Sequence, residues 1–247
     1  MNTHATDTDA RHESERRLAA RLVGLSYLLA IVFSVFAEFY VMGQLAGPDA
    51  AQTAQRIARL PSLLRFGTAA NIAACVTDGL LLASLYLVLA PVSRLWALVA
   101  LFWGAIETTV LLIGVSHELV ALKLLSGADY LAAIPPSNLQ DWARFALWSH
   151  GMLYSIALML AGLRSTLFCW LWWRSRLIPR ALAGLGVFAS LWLFACTYGT
   201  LVAPEFGKLL PVGLYGGPIF LFELVAGFWL LVRGIEPRAG DRTVRTA

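Results

Sequence analysis

Long apolar blocks alternate along this chain with short polar or Pro/Gly-containing segments. The blocks run over about 20–45, 66–89, 95–122, 146–173, 181–202 and 212–232. A hydrocarbon core about 30 Å thick needs roughly 20 apolar residues in a helix, and each block meets that length. The pattern predicts an all-α, polytopic bundle of six transmembrane helices.

Polar residues inside the blocks recur at helical spacing. Tyr27, Ser34 and Glu38 are seven and four apart in the first span, and Asn71 and Asp78 are seven apart in the second. In the third, Glu107, Gly114 and Glu118 share a face, while His117 points about a quarter-turn away. His150, Tyr154, Ala157, Ala161 and Arg164 form a stripe on the fourth. Ser190 and Thr197 share a face of the fifth. Glu223 is central in the sixth, whose first half Gly216-Gly217-Pro218 should loosen.

The connections carry their own signals. Asp49 is placed to cap a short interfacial helix that ends before Pro61. Pro91 and Arg94 mark a tight turn, so spans 2 and 3 should form an antiparallel hairpin. Ser137-Asn138-Leu139-Gln140 reads as a capping box opening the fourth helix. Trp170, Trp172 and Trp173 beside Arg174 read as an aromatic belt with a basic flank.

Composition agrees with a membrane setting. The 247 residues are 59% hydrophobic and 14% charged, with a mean hydropathy of +0.70; soluble domains are about a quarter charged. A net charge of +4 does not imply a nucleic-acid partner, because Lys and Arg sit between the spans. Cys75, Cys169 and Cys196 lie in apolar stretches without CxxC spacing and read as buried hydrophobes. Residues 1–17 and 236–247 are polar and read as disordered cytoplasmic tails around a membrane domain of residues 18–235, whose first span is a retained helix. With six spans, twelve of the 19 Lys/Arg residues fall on the side of the termini and six on the other. That bias predicts an inner-membrane protein with both termini in the cytoplasm and short interfacial helices in the outer loops.

This topology sets depths. Asp78, Glu107 and Glu223 fall near mid-membrane. Glu38, His117, Glu118, His150 and Tyr198 fall in the outer half, and Arg164 in the inner half. Three charged carboxylates facing lipid would cost on the order of 8–10 kcal/mol, so they should converge inside the bundle, at the floor of an outward-opening polar funnel. Glu107, Asp78 and Glu223 are the candidate catalytic groups. Glu38, Tyr154, Asn71 and Arg164 are candidate substrate-binding groups. Asp78, Glu107 and His150 are a candidate set for a divalent metal, since facing bundle helices build such sites from carboxylates and imidazole. The linear metal signature is incomplete: His117-Glu118-Leu119-Val120-Ala121 has Ala where HExxH needs its second His. Three functions fit these groups. One is a membrane-embedded enzyme or binding protein for a small amphipathic or isoprenoid-like molecule. Another is a proton-coupled transporter or exporter, for which a homodimer would make up the helix number. The third is a non-catalytic module whose polar groups hold helices together and which packs against a partner.

Five stretches, ARLVGLSYLLAIVFSVFAEF, NIAACVTDGLLLASLYLVLAPVSR, WGAIETTVLLI, SHGMLYSIALMLAGLRSTLFCWLWWRSRLIPRALAGLGV and FLFELVAGFWLLVRGI, resemble in order the bacterial domain of unknown function 4386 family. The likeness covers roughly residues 20–235, and the RSxxxPR turn at Arg174–Arg180 is its most specific part. The resemblance implies a six-helix membrane fold with intramembrane polar positions at Glu38, Asp78, Glu107, His150 and Glu223. It implies a His more often at the position of Arg164. It brings no activity with it.

Overall fold

The computed structural model describes residues 3–235. They are helical apart from short connections, with no strand among them. The order is α1 (Thr3–Ser34), a π-helical segment (Val35–Val41), α2 (Met42–Leu45), α3 (Ala50–Arg59), α4 (Pro61–Leu89) and α5 (Arg94–Leu124). A 3-10 turn (Asp129–Leu131) leads to α6 (Pro136–Ser175), α7 (Arg180–Val202), α8 (Pro204–Leu209), α9 (Val212–Tyr215) and α10 (Gly217–Val232).

Five helical stretches are long and apolar enough to cross a membrane: Glu13–Leu45, Pro61–Leu89, Arg94–Leu124, Pro136–Ser175 and Arg180–Val202. Large apolar side chains stand outward along them, among them Val76, Phe102 and Phe188. In water such faces would aggregate; against lipid tails they are solvated. The chain is a multi-pass membrane protein. The stretch predicted as a sixth span is divided. Gly216 separates α9 from α10, and Pro218 occupies the first turn of α10, where its missing N–H costs nothing. The 16 residues of α10 reach about 24 Å, less than a full hydrocarbon core.

Several ends differ from the expected ones. The disordered tail predicted for residues 1–17 is helical from Thr3 onward, as part of α1. No Pro or Gly precedes Gly24 to stop the helix, and Glu13 pairs with Arg17 one turn on, at 3.1 Å. The tail predicted at 236–247 lies outside the described residues. The capping box at Ser137 is not used. The helix opens at Pro136, and the Pro135 carbonyl accepts from the backbone N–H groups of Asn138 and Leu139. Proline at the first helical position is pre-set for this role, which leaves Ser137 inside the first turn. The cap at Asp49 forms as expected, its Oδ1 accepting from the Gln52 N–H at 2.7 Å. Of the three Trp expected in a belt, Trp172 is core, 1% exposed, while Trp170 and Trp173 are exposed.

The chain divides into two compact units, one of residues 1–28, 78–106 and 158–247, the other of residues 29–77 and 107–157. The first unit holds the larger core, centred on Trp172, Phe168 and Phe222 with Leu81, Leu85 and Leu89. There α1 and α10 meet through small residues: a Cβ on Gly24 would come within 2.7 Å of the Gly227 carbonyl oxygen. Close backbone approach replaces the hydrophobic drive that lipid does not supply. Arg176, at φ 55°, closes α6 in a left-handed conformation. The turn it makes buries Leu177 and Ile178, which offsets a strain of roughly 1–2 kcal/mol. The second unit has smaller clusters, one of Val41, Leu45, Ile57 and Leu64 and one of Ala121, Ala143 and Ala146. The Arg144 guanidinium donates to the Pro48 carbonyl at 2.9 Å.

A buried carboxylate and histidine cluster

The second unit gathers Glu38, Asn71, Glu118 and His150 from four helical elements. Glu38 comes from the π-helical segment, Asn71 from α4, Glu118 from α5 and His150 from α6. A π segment adds a residue to the helical turn and re-aims the side chains that follow, and such segments are frequent at functional sites. Neither Gly nor Pro occurs in Val35–Val41, so no helix breaker in the sequence announces it.

The geometry is tight. His150 Nε2 lies 3.1 and 3.3 Å from the two carboxylate oxygens of Glu38 and 3.3 Å from Glu118 Oε1. The Asn71 amide Nδ2 donates to Glu38 Oε1 and to Glu118 Oε1, each at 2.8 Å. One amide thus ties together two carboxylates that would otherwise repel. Glu118 is fully buried, His150 is 4% exposed and Asn71 8%; the Glu38 side chain is 11% exposed. Thr68 stands beside Glu118, its hydroxyl turned to the Leu64 carbonyl at 3.0 Å. The Tyr154 ring, one turn along α6, stacks on His150 at 6.4 Å and 27°. Gly114 lets the imidazole approach α5: a Cβ there would stand 3.4 Å from His150 Nδ1. Two atoms of the cluster, Glu118 Oε2 and His150 Nδ1, have no hydrogen-bond partner of good geometry.

Glu38, Glu118 and His150 each offer a ligand atom, and these lie within 4.8 Å of one another. Of the metal set expected from the sequence (Asp78, Glu107 and His150), His150 alone belongs to this group. The reason is helical register. Asp78 lies seven residues, roughly 10 Å, along α4 from Asn71, and Glu107 eleven residues, roughly 16 Å, along α5 from Glu118. Glu107 is buried in the second unit, 4% exposed, on the α5 face it was expected to share with Glu118. His117 is half-exposed, its Nδ1 2.9 Å from the Ile113 carbonyl of its own helix.

Asp78 and Glu223 belong to the first unit and form a second charged group with Arg164 and Tyr27. Arg164 is buried, 5% exposed, and its charge acts on both carboxylates. Its aliphatic stem packs where a Cβ on Gly104 would stand, 2.7 Å from Arg164 Cδ. Tyr27 is buried edge-on against Phe222, ring centroids 6.1 Å apart. The residues expected to form one funnel therefore divide between the units: Glu38, Glu107, Glu118 and His150 in one, and Asp78, Arg164 and Glu223 in the other.

Two members of the histidine cluster carried the wrong emphasis in the sequence. Asn71 was visible as a polar position in an apolar span but not as a bridge between carboxylates. Glu118 was visible on the Glu107 face in the outer half, but not as a partner of Glu38 and His150. A family model described as a domain of unknown function (DUF4386) matches residues 22–234. No curated protein and no solved structure matches the chain.

Proposed function

The chain belongs to the DUF4386 family, and from that premise we propose that it is a membrane-embedded enzyme or binding protein centred on Glu38, Asn71, Glu118 and His150. Its substrate class is a small amphipathic molecule, whose apolar part dissolves among the spans while its polar end meets the cluster. The observation that carries this reading is the burial of two carboxylates and an imidazole around one point. Taking such groups out of water is costly, and packing alone is served equally well by apolar or small residues. In this reading Glu38, Glu118 and His150 hold or move a proton on the polar end, Asn71 fixes the two carboxylates, and Tyr154 holds the imidazole plane. Asp78 and Glu223, balanced by Arg164, form a separate charged group in the first unit.

The proposed setting is the bacterial inner membrane, with six spans and both termini cytoplasmic. The distribution of Lys and Arg supports that orientation. In it α9 and α10 together make the sixth crossing, broken at Gly216, and broken helices are tolerated where protein or a cavity satisfies the freed backbone.

The test is a comparison of lipid and small-molecule extracts. Cells making the wild-type chain are set against cells making Glu118→Gln or Glu38→Gln. The expected result is one amphipathic class that accumulates, disappears or co-purifies with the wild type only. Indistinguishable extracts, with nothing co-purifying, would remove this reading in favour of a packing module. A second reading, proton-coupled transport, draws on the run of hydrogen-bonding groups Glu118, Asn71, Glu38 and His150, along which a proton can be shared. It predicts substrate-driven proton flux in proteoliposomes that collapses in Glu118→Gln and Glu107→Gln.

A further inference from the structure

We propose that Glu38, Glu118 and His150 bind a single divalent transition-metal ion, with Asn71 and Gly114 supporting the ligands; the inference rests on the same cluster being the functional centre. Spacing is the first argument. Protein ligand bonds of about 2.0–2.2 Å give ligand-to-ligand edges of about 3.3–3.6 Å in a tetrahedron and about 2.8–3.1 Å in an octahedron. The observed separations from His150 Nε2 are 3.1 Å to Glu38 Oε1 and 3.3 Å to Glu118 Oε1. Both separations from the imidazole thus match edges of a coordination polyhedron, and all three donors lie within 4.8 Å of one another.

Charge is the second argument. Two carboxylates and a neutral imidazole sum to −2, and a divalent ion neutralises them. The groups acting on Glu118 are His150, Thr68, Glu38 and Asn71, with no Lys or Arg among them. Third, Glu118 is fully buried, and its Oε2 has no hydrogen-bond partner of good geometry, the neighbouring Thr68 hydroxyl being turned to the Leu64 carbonyl. Buried carboxylate oxygens are almost always satisfied, and a metal ion is one way to satisfy this one. Fourth, the outer contacts are those of a ligand set. Histidine ligands generally give their other ring nitrogen to a carbonyl or carboxylate. Here Nδ1 faces the Gly114 backbone. The Asn71 amide holds one oxygen of each Glu in place.

The donor set selects the class of ion. Imidazole with carboxylate suits zinc, manganese, iron, cobalt or nickel; magnesium and calcium prefer oxygen-only sites. Three protein ligands leave at least one position open, the arrangement of catalytic rather than structural metal centres.

The test uses full-length protein in detergent, carrying an affinity tag free of histidine. Elemental analysis of wild type should find about one transition-metal ion per chain. After chelator treatment, Co²⁺ should titrate in with visible d–d absorption, saturating near one equivalent. Glu118→Gln and His150→Ala should lose that spectrum, and Asn71→Ala should weaken binding by about 10–100-fold. Asp78→Asn, in the first unit, should retain it. A wild-type chain that purifies without metal and gives no saturable Co²⁺, Zn²⁺ or Mn²⁺ binding overturns the proposal, whether or not the variants fold. So does binding that survives in both Glu118→Gln and His150→Ala. Absence of metal with an amphipathic class still lost in Glu118→Gln removes the metal and keeps the functional centre. Stoichiometric metal with unchanged extracts does the reverse.

Discussion

His150 Nε2 lies 3.1 Å from Glu38 Oε1, although 112 residues separate the two in sequence. Glu38 is delivered by a π-helical segment and His150 by the long helix α6. The contact joins the two stretches, 29–77 and 107–157, that make up the second unit.

Asn71 holds this arrangement by donating to both glutamates. Asn71→Ala removes two buried hydrogen bonds and leaves His150 Nε2 as the remaining neighbour of both oxygens. The expected loss is about 1–3 kcal/mol, with a lower thermal midpoint in detergent. An unchanged midpoint would mean that the carboxylates do not rely on the amide.

Gly24 and Gly227 set the approach of α1 to α10. In Gly24→Ala the new Cβ would meet the Gly227 carbonyl oxygen at 2.7 Å and the Leu231 backbone nitrogen at 2.9 Å, so thermal stability should fall. Gly79, also helical, faces open space: a Cβ added there would have nothing within 4 Å. Gly79→Ala should leave stability unchanged or raise it by roughly 0.5–1 kcal/mol through helix propensity. Equal effects of the two substitutions would argue against close packing at Gly24.

Arg164 supplies the positive charge felt by Asp78 and Glu223. Arg164→Met leaves both carboxylates without that charge and should lower the thermal midpoint. Adding Glu223→Gln should recover part of that loss. A double-mutant cycle on thermal midpoints measures the coupling; strictly additive losses would show that Arg164 acts through packing alone.

The orientation can be read with reporters. A fluorescent protein that matures only in the cytoplasm should be bright when fused at the C-terminus. Cysteine placed at Ser126 should react with a membrane-impermeant maleimide in intact spheroplasts, and cysteine at Ser93 should not. The opposite labelling would invert the proposed topology.

The sequence by itself determined that this is a helical membrane protein, because span length and the scarcity of charge within spans are properties of composition along one dimension. It placed most helix boundaries within a few residues, the Asp49 cap and the break at Gly216, since these depend on neighbours in the chain. It also singled out the residues that matter as polar positions in apolar blocks, Glu38, Asn71, Asp78, Glu107, His150 and Glu223 among them. Only the tertiary structure decided which of them meet. That choice depends on the level of each residue on its helix, and on helix phase. The π segment shifts the phase before Glu38 without any Gly or Pro to signal it. A seven-residue step along α4 assigns Asn71 to the histidine cluster and Asp78 to the Arg164 group.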